Sequence, residues 1–83
     1  MKLARYVKFR EEKFGGVLFE TRSEKVYTLN PTATAVVREI QAGSDPADIP
    51  ARLKARFHDD DGAIEREAIA FISELRQKNL VED

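Results

Sequence analysis

The 83-residue sequence predicts a single α+β domain in which a three-stranded antiparallel sheet is followed by a three-helix bundle. Three observations carry that prediction. Before residue 30 there are short stretches of strand character with short polar connections. At Asn30-Pro31 the apolar period changes from two to between three and four. Beyond that point lie three successive apolar stripes of helical spacing. A chain this short supports one core, so residues 1–83 are read as one domain without a large enclosed active site.

The first strand is expected around Arg5–Phe9, where polar and apolar residues alternate, and the second at Gly16–Glu20, which supplies Val17, Leu18 and Phe19. Polar Arg10–Lys13 and the pair Gly15-Gly16 connect them. Thr21–Glu24 reads as a turn and Lys25–Leu29 as the third strand. Its Val26 and Thr28 share one face and its Lys25, Tyr27 and Leu29 the other, with Tyr27 and Leu29 expected inward. The side chains of the second strand suit either face. Three consecutive strands with short connections form a meander.

Asn30 can cap a helix whose first position, Pro31, loses no hydrogen bond. Ala33, Val36, Val37 and Ile40 then form one stripe, and Gly43 can close the helix in a left-handed conformation, which predicts a helix over about Pro31–Ala42. A second helix begins after Asp45-Pro46 or at Asp48 and buries Ile49, Leu53 and Phe57. A start at Pro46 would set Pro50 against the carbonyl four residues back, so either the first turn is irregular or the regular helix starts near Asp48. Asp59, Asp60 and Asp61 suit the N-terminus of a third helix carrying Ile64, Ala68, Phe71, Ile72 and Leu75 on one stripe, and Asn79 offers a left-handed stop onto which Leu80 folds back.

Composition excludes several kinds of function. There is no cysteine, hence no disulfide, thiolate metal site or catalytic thiol. No apolar run approaches the length of a membrane span and no signal-peptide core opens the chain, so the sequence reads as cytoplasmic. Residues 1–30 carry seven Lys/Arg against four Glu, a charge of +3, and residues 31–83 carry seven against eleven Asp/Glu, a charge of −4. So weak a basic half does not coat nucleic acid, though it can bias docking toward an acidic or amphipathic peptide.

The motifs that suggest chemistry have plainer readings. If Gly62 is set at the sixth position of a calcium loop, Phe57 and Ala68 fall on the first and last ligand positions, and neither binds calcium. Helix capping accounts for the aspartates. His58 is the sole imidazole and has no sequence partner for base or metal chemistry. Gly15-Gly16 precedes a strand and lacks the spacing of a phosphate cradle, so a turn or bulge is expected. Glu65, Glu67 and Glu74 interleave with Arg66, Arg76 and Lys78 as a solvated helix face. No nucleophile, base and oxyanion site assemble, so neither an enzyme nor a cofactor is expected.

What remains is topological, because a three-stranded meander has two edges. An unpaired edge beside an apolar groove accepts an extended peptide through main-chain hydrogen bonds, unless a charge such as Lys25 blunts it or a dimer closes it. A winged-helix nucleic-acid module suits the same elements, but the third helix opens with acids and its start offers only Arg66 to phosphates.

Four segments in order carry a family resemblance: V-K-F-R-E-E-K-F-G-G-V-L-F at 7–19, V-Y-T-L-N-P-T-A-T-A-V-V at 26–37, I-x-x-x-L-x-x-x-F at 49–57 and F-I-S-E-L-R-Q-K-N-L-V at 71–81. Together they resemble the PqqD-like family, also called the RiPP recognition element, over nearly the whole chain. The resemblance implies a winged-helix-like fold and a non-catalytic peptide chaperone. Such a protein binds the leader of a ribosomally made precursor peptide and presents it to a modifying enzyme, often a radical SAM enzyme. It implies a docking edge at Lys25, Val26, Tyr27, Thr28 and Leu29, with Ile64, Ala68, Phe71, Ile72 and Leu75 of the third helix as groove or core. Where members dedicated to pyrroloquinoline quinone synthesis typically have Pro-Glu before the third strand, this chain has Ser23-Glu24-Lys25, so the resemblance does not extend to that product. The segment R-E-E-K-F-G-G-V-L-F is also similar to the mycofactocin-type branch.

Overall fold

The computed structural model describes residues 1–58 and 61–83. Strands β1 (Lys2–Leu3), β2 (Val7–Glu12), β3 (Gly15–Glu20) and β4 (Lys25–Leu29) precede helices α1 (Pro31–Gln41), α2 (Ile49–Arg56) and α3 (Ala63–Gln77), and β5 (Val81–Glu82) ends the chain. The three-stranded antiparallel sheet has the order β2-β3-β4, and a separate two-stranded pairing joins β1 to β5. The expected α+β order of sheet then helices is the observed one.

One strand expectation needs correction, and one strand pairing is additional. The first long strand is Val7–Glu12 instead of Arg5–Phe9, so it runs through the polar segment read as a connection. Alternation continues there, but the partners are charged: Arg10 pairs with Glu12 at 2.7 Å, and Glu11 takes two hydrogen bonds from Arg38 of α1. The β1/β5 pairing was not foreseen, because two-residue strands carry no periodic signal. In β3, Leu18 points inward and is fully buried, while Val17 and Phe19 point out.

Gly15 and Gly16 lie where β3 passes beneath the end of β4 and the start of α1. A Cβ on Gly15 would sit 2.2 Å from the Leu29 carbonyl oxygen, and one on Gly16 would sit 2.9 Å from the Phe9 ring and 3.0 Å from Thr34 Oγ1. At Gly15, whose φ is also 147°, only glycine allows this approach, whereas a side chain at Gly16 would displace the Phe9 ring and Thr34.

Helix α1 begins as its sequence predicts, with Asn30 Oδ1 accepting the Ala33 N–H at 2.8 Å and Pro31 in the first turn. It ends with Gly43 in a left-handed conformation, where the Ser44 N–H reaches the Glu39 carbonyl at 3.0 Å. Ala33, Val36, Val37 and Ile40 are buried, and so are Thr34, Ala35 and Glu39, because α1 packs against the sheet on one side and α2 and α3 on the other. The Glu39 carboxylate accepts from Arg52 at 2.7 Å, Arg56 at 2.8 Å and Ser44 at 2.6 Å, tying α2 to α1. The Ser44 hydrogen bond and then the Arg52 guanidinium hold this carboxyl below its ordinary value.

Helix α2 starts after Asp48, with Pro50 in its first turn, and buries Ile49 and Leu53. Phe57, expected in the core, is 39% exposed. The helix has ended by then, and His58, in a left-handed conformation at φ 53°, turns the chain away. At the start of α3, Asp61 Oδ1 accepts the Ala63 N–H at 3.0 Å; Asp59 and Asp60, the rest of the expected cap, lie outside the described residues. Asn79 ends the helix left-handed at φ 58°, and the N–H of buried Leu80 bonds the Leu75 carbonyl at 3.0 Å. Among the described residues no helix is long and apolar enough to cross a membrane.

Candidate functional site

The open side of β4 is defined by hydrogen-bond alternation. The Thr21 N–H donates to the Tyr6 carbonyl at 2.8 Å, so with the β2–β3 register this pair and its alternates Lys8–Phe19 and Arg10–Val17 are the bonded ones. Gly16, Leu18 and Glu20 therefore turn their main chain toward β4, opposite Leu29, Tyr27 and Lys25. Val26 and Thr28 are left with N–H and C=O directed away from the sheet. Among the described residues no strand pairs with this edge.

Side chains alternate with the opposite consequence. Leu29 is 3% exposed and Tyr27 half-buried, both inward as expected, whereas Val26 is 60% exposed on the outer face beside Phe19. Below the edge, between β4 and α3, runs an open groove of about 400 Å³. Leu18, Tyr27, Leu29, Phe71, Leu75 and Leu80 supply its apolar lining, and Asn30, Glu74 and Lys78 its polar rim.

Of the third-helix residues singled out from sequence, Phe71 and Leu75 line this groove and Leu75 also belongs to the core. Ala68 and Ile72 are buried; Ile72 contributes to a separate surface hollow with Pro46, Pro50 and Ile69, facing α2. Ile64 packs on the core edge. Lys25 begins the edge but does not line the groove.

Glu74 and Lys78 belong to the groove, although their mixed charge suggested a solvated face. They stand three and seven residues after Phe71, hence on one side of α3, a spacing that could have located them. Lys78 Nζ lies 2.7 Å from Glu74 Oε1 and 5.0 Å from the centroid of the Tyr27 ring. The hydrogen bond to Glu74 raises the Lys78 pKa above its ordinary value, so the ammonium is charged at any physiological pH. Leu18, Asn30, Ala33 and Leu80 were missed because each reaches the groove from another element.

The fold is that of a compact α+β domain, a small sheet with an open edge over a helix-walled groove, and comparison gives its family. The family model described as coenzyme PQQ synthesis protein D (PqqD) matches residues 15–81, and the chain belongs to that family. Two solved structures share the fold over 99% of this chain. One, described as TbiB1 in complex with the TbiA(beta) leader peptide, is 22% identical with a TM-score of 0.82 and 95% of its chain covered. The other, a lasso peptide synthetase B1 complexed with the leader peptide, is 24% identical with a TM-score of 0.80 and 96% covered. Among curated proteins none matches.

Proposed function

We propose that this domain is a non-catalytic peptide chaperone that binds the leader of a ribosomally made precursor peptide and presents it to a modifying enzyme, of the radical SAM type or another. The observation that carries the reading is the unpaired edge of β4 directly above an apolar groove. The leader adds as a further strand. Val26 and Thr28 each offer it one N–H and one C=O, while leader side chains of alternate parity enter the groove beside Tyr27 and Leu29. Family membership supports the reading, as does the presence of leader peptides in the two structural neighbours.

The test is amide-shift mapping by NMR with the leader segment of the short reading frame nearest the gene. Added leader should perturb Lys25–Leu29 and the Phe71–Lys78 face of α3, leaving β2 nearly silent. Shifts concentrated on β2 or α2 would overturn the reading. Binding should persist with chelator present, and duplex DNA at moderate salt should not compete.

A further inference from the structure

The outer face of the sheet departs from the composition that exposure calls for. An antiparallel sheet with one solvated face ordinarily turns polar residues outward. Here the register sets Lys8, Phe19 and Val26 in one outward row and Arg10, Val17 and Thr28 in the next. Phe19 and Val26 are exposed, and with half-buried Val17 they form one apolar strip across β3 and β4. A hollow of about 430 Å³ opens on this strip, with Lys8 and Arg10 on its β2 side and no carboxylate in its lining among the described residues. Arg10 is tied to Glu12, whereas Lys8 makes no ion pair among the described residues. Three apolar side chains fall well short of the roughly 800 Å² that each partner gives to a standard interface, so the strip is incomplete on the free domain. Strand addition at β4 widens it. Residues paired across a ladder turn their side chains to the same face, so the leader residues opposite Val26 and Thr28 point outward and carry both rows onto a fourth strand.

We propose that this outer face, completed by the outward side chains of a bound leader, is where the peptide-modifying enzyme docks, meeting it with apolar side chains flanked by carboxylates. Docking there rests on strand addition at β4. The partner follows from the position of Val26, whose side chain belongs to the strip and whose main chain belongs to the edge that holds the leader. A protein that must find the loaded domain touches both chains in one contact. Because leader side chains form part of that contact, leader and enzyme strengthen each other's binding reciprocally. Charge points the same way: a second copy would bring a hollow of the same sign, whereas an acidic rim complements the free ammonium of Lys8. The leader's inward side chains meanwhile stay in the groove beside Tyr27 and Leu29. One face of the leader anchors it to the domain, and the other is read by the enzyme.

The test uses the intact domain, the leader segment named above and the peptide-modifying enzyme encoded nearest the gene. Interferometry should show the enzyme binding the leader-loaded domain about tenfold more tightly than the empty one. Lys8→Glu, at an exposed position that leaves the core untouched, should weaken that binding about fivefold, and Phe19→Thr about tenfold or more. Neither should change leader affinity in calorimetry. Replacing the leader residue that NMR places opposite Val26 with aspartate should likewise spare leader affinity and weaken enzyme capture. Enzyme binding that ignores both domain variants, that is equal for the empty domain, or that is not detected at all would overturn the docking face while leaving strand addition intact. A leader that fails to perturb Val26 and Thr28 would overturn both. If light scattering finds the domain dimeric and Phe19→Thr monomeric, the strip belongs to a second copy and the enzyme does not dock there.

Discussion

The two edges of the sheet offer the same kind of main-chain groups and meet opposite surroundings. On β2 the outward main-chain groups belong to Val7, Phe9 and Glu11, and the Val7 N–H is already taken by the Ala4 carbonyl at 2.9 Å. Farther along, the Glu11 side chain is fastened to Arg38, and Arg10 to Glu12. This edge is blunted by charge and by its own preceding turn. On β4, Val26 and Thr28 have no strand partner among the described residues, and a groove lies beneath them. An unpaired strand is therefore not enough for recognition; what distinguishes β4 is a helix set far enough away to leave room for another chain.

The largest effects test which face of β4 belongs to the core. Leu29→Ala should cost about 2–5 kcal/mol in urea unfolding, a large share of what a small domain possesses, whereas Val26→Ala on the outer face should stay within about 0.5 kcal/mol. Equal losses would mean that the inward assignment is wrong.

Proline separates pairing from recognition. Tyr27→Pro removes an N–H that bonds β3 and should cost about 3 kcal/mol or more. Thr28→Pro removes one that faces the open edge, so the fold should survive, and leader affinity should drop about tenfold or more in calorimetry. A folded Thr28→Pro protein with full affinity would show that strand addition does not occur there.

A smaller effect belongs to the buried carboxylate between α1 and α2. Glu39→Gln should cost about 1–3 kcal/mol at neutral pH, since it weakens a hydrogen-bonded cluster whose arginines remain half in water. Because the folded-state pKa lies below the ordinary 4.5, the carboxylate's contribution is present above that pH and is lost as pH falls through the lowered value. The stability gap between wild type and Glu39→Gln should accordingly narrow in acid-titration melts below pH 4.5. The smallest effect is expected at the blunted edge: Arg38→Ala frees Glu11 on an exposed surface and should leave leader affinity unchanged.

Much of the fold was legible because local chemistry and periodicity agreed. Asn30-Pro31 started a helix, Gly43 and Asn79 stopped two, and Lys25–Leu29 was a strand by alternation alone. What misled was locally ambiguous. Arg10–Glu12 reads as a polar connection until its partners are known, and Phe57 fits the apolar spacing of α2 although the helix ends one residue earlier. Glu39 gave no sign of burial, since its neutralising arginines lie thirteen and seventeen residues away on another helix.

For the groove, sequence by itself determined the alternation that sets Tyr27 and Leu29 inward and the α3 stripe containing Phe71 and Leu75, because both follow from fixed periods of two and 3.6 residues. The tertiary structure alone decided which α3 residues remain accessible, which edge stays open and which charges border the groove. Ala68 and Ile72 share the stripe of Phe71 yet are buried, and Leu18, Asn30, Ala33 and Leu80 reach the groove from four different elements or turns. Period places a side chain on a face of its own element. Only packing, through the distance and angle between elements far apart in the chain, determines whether that face meets a neighbour or leaves a space beside it.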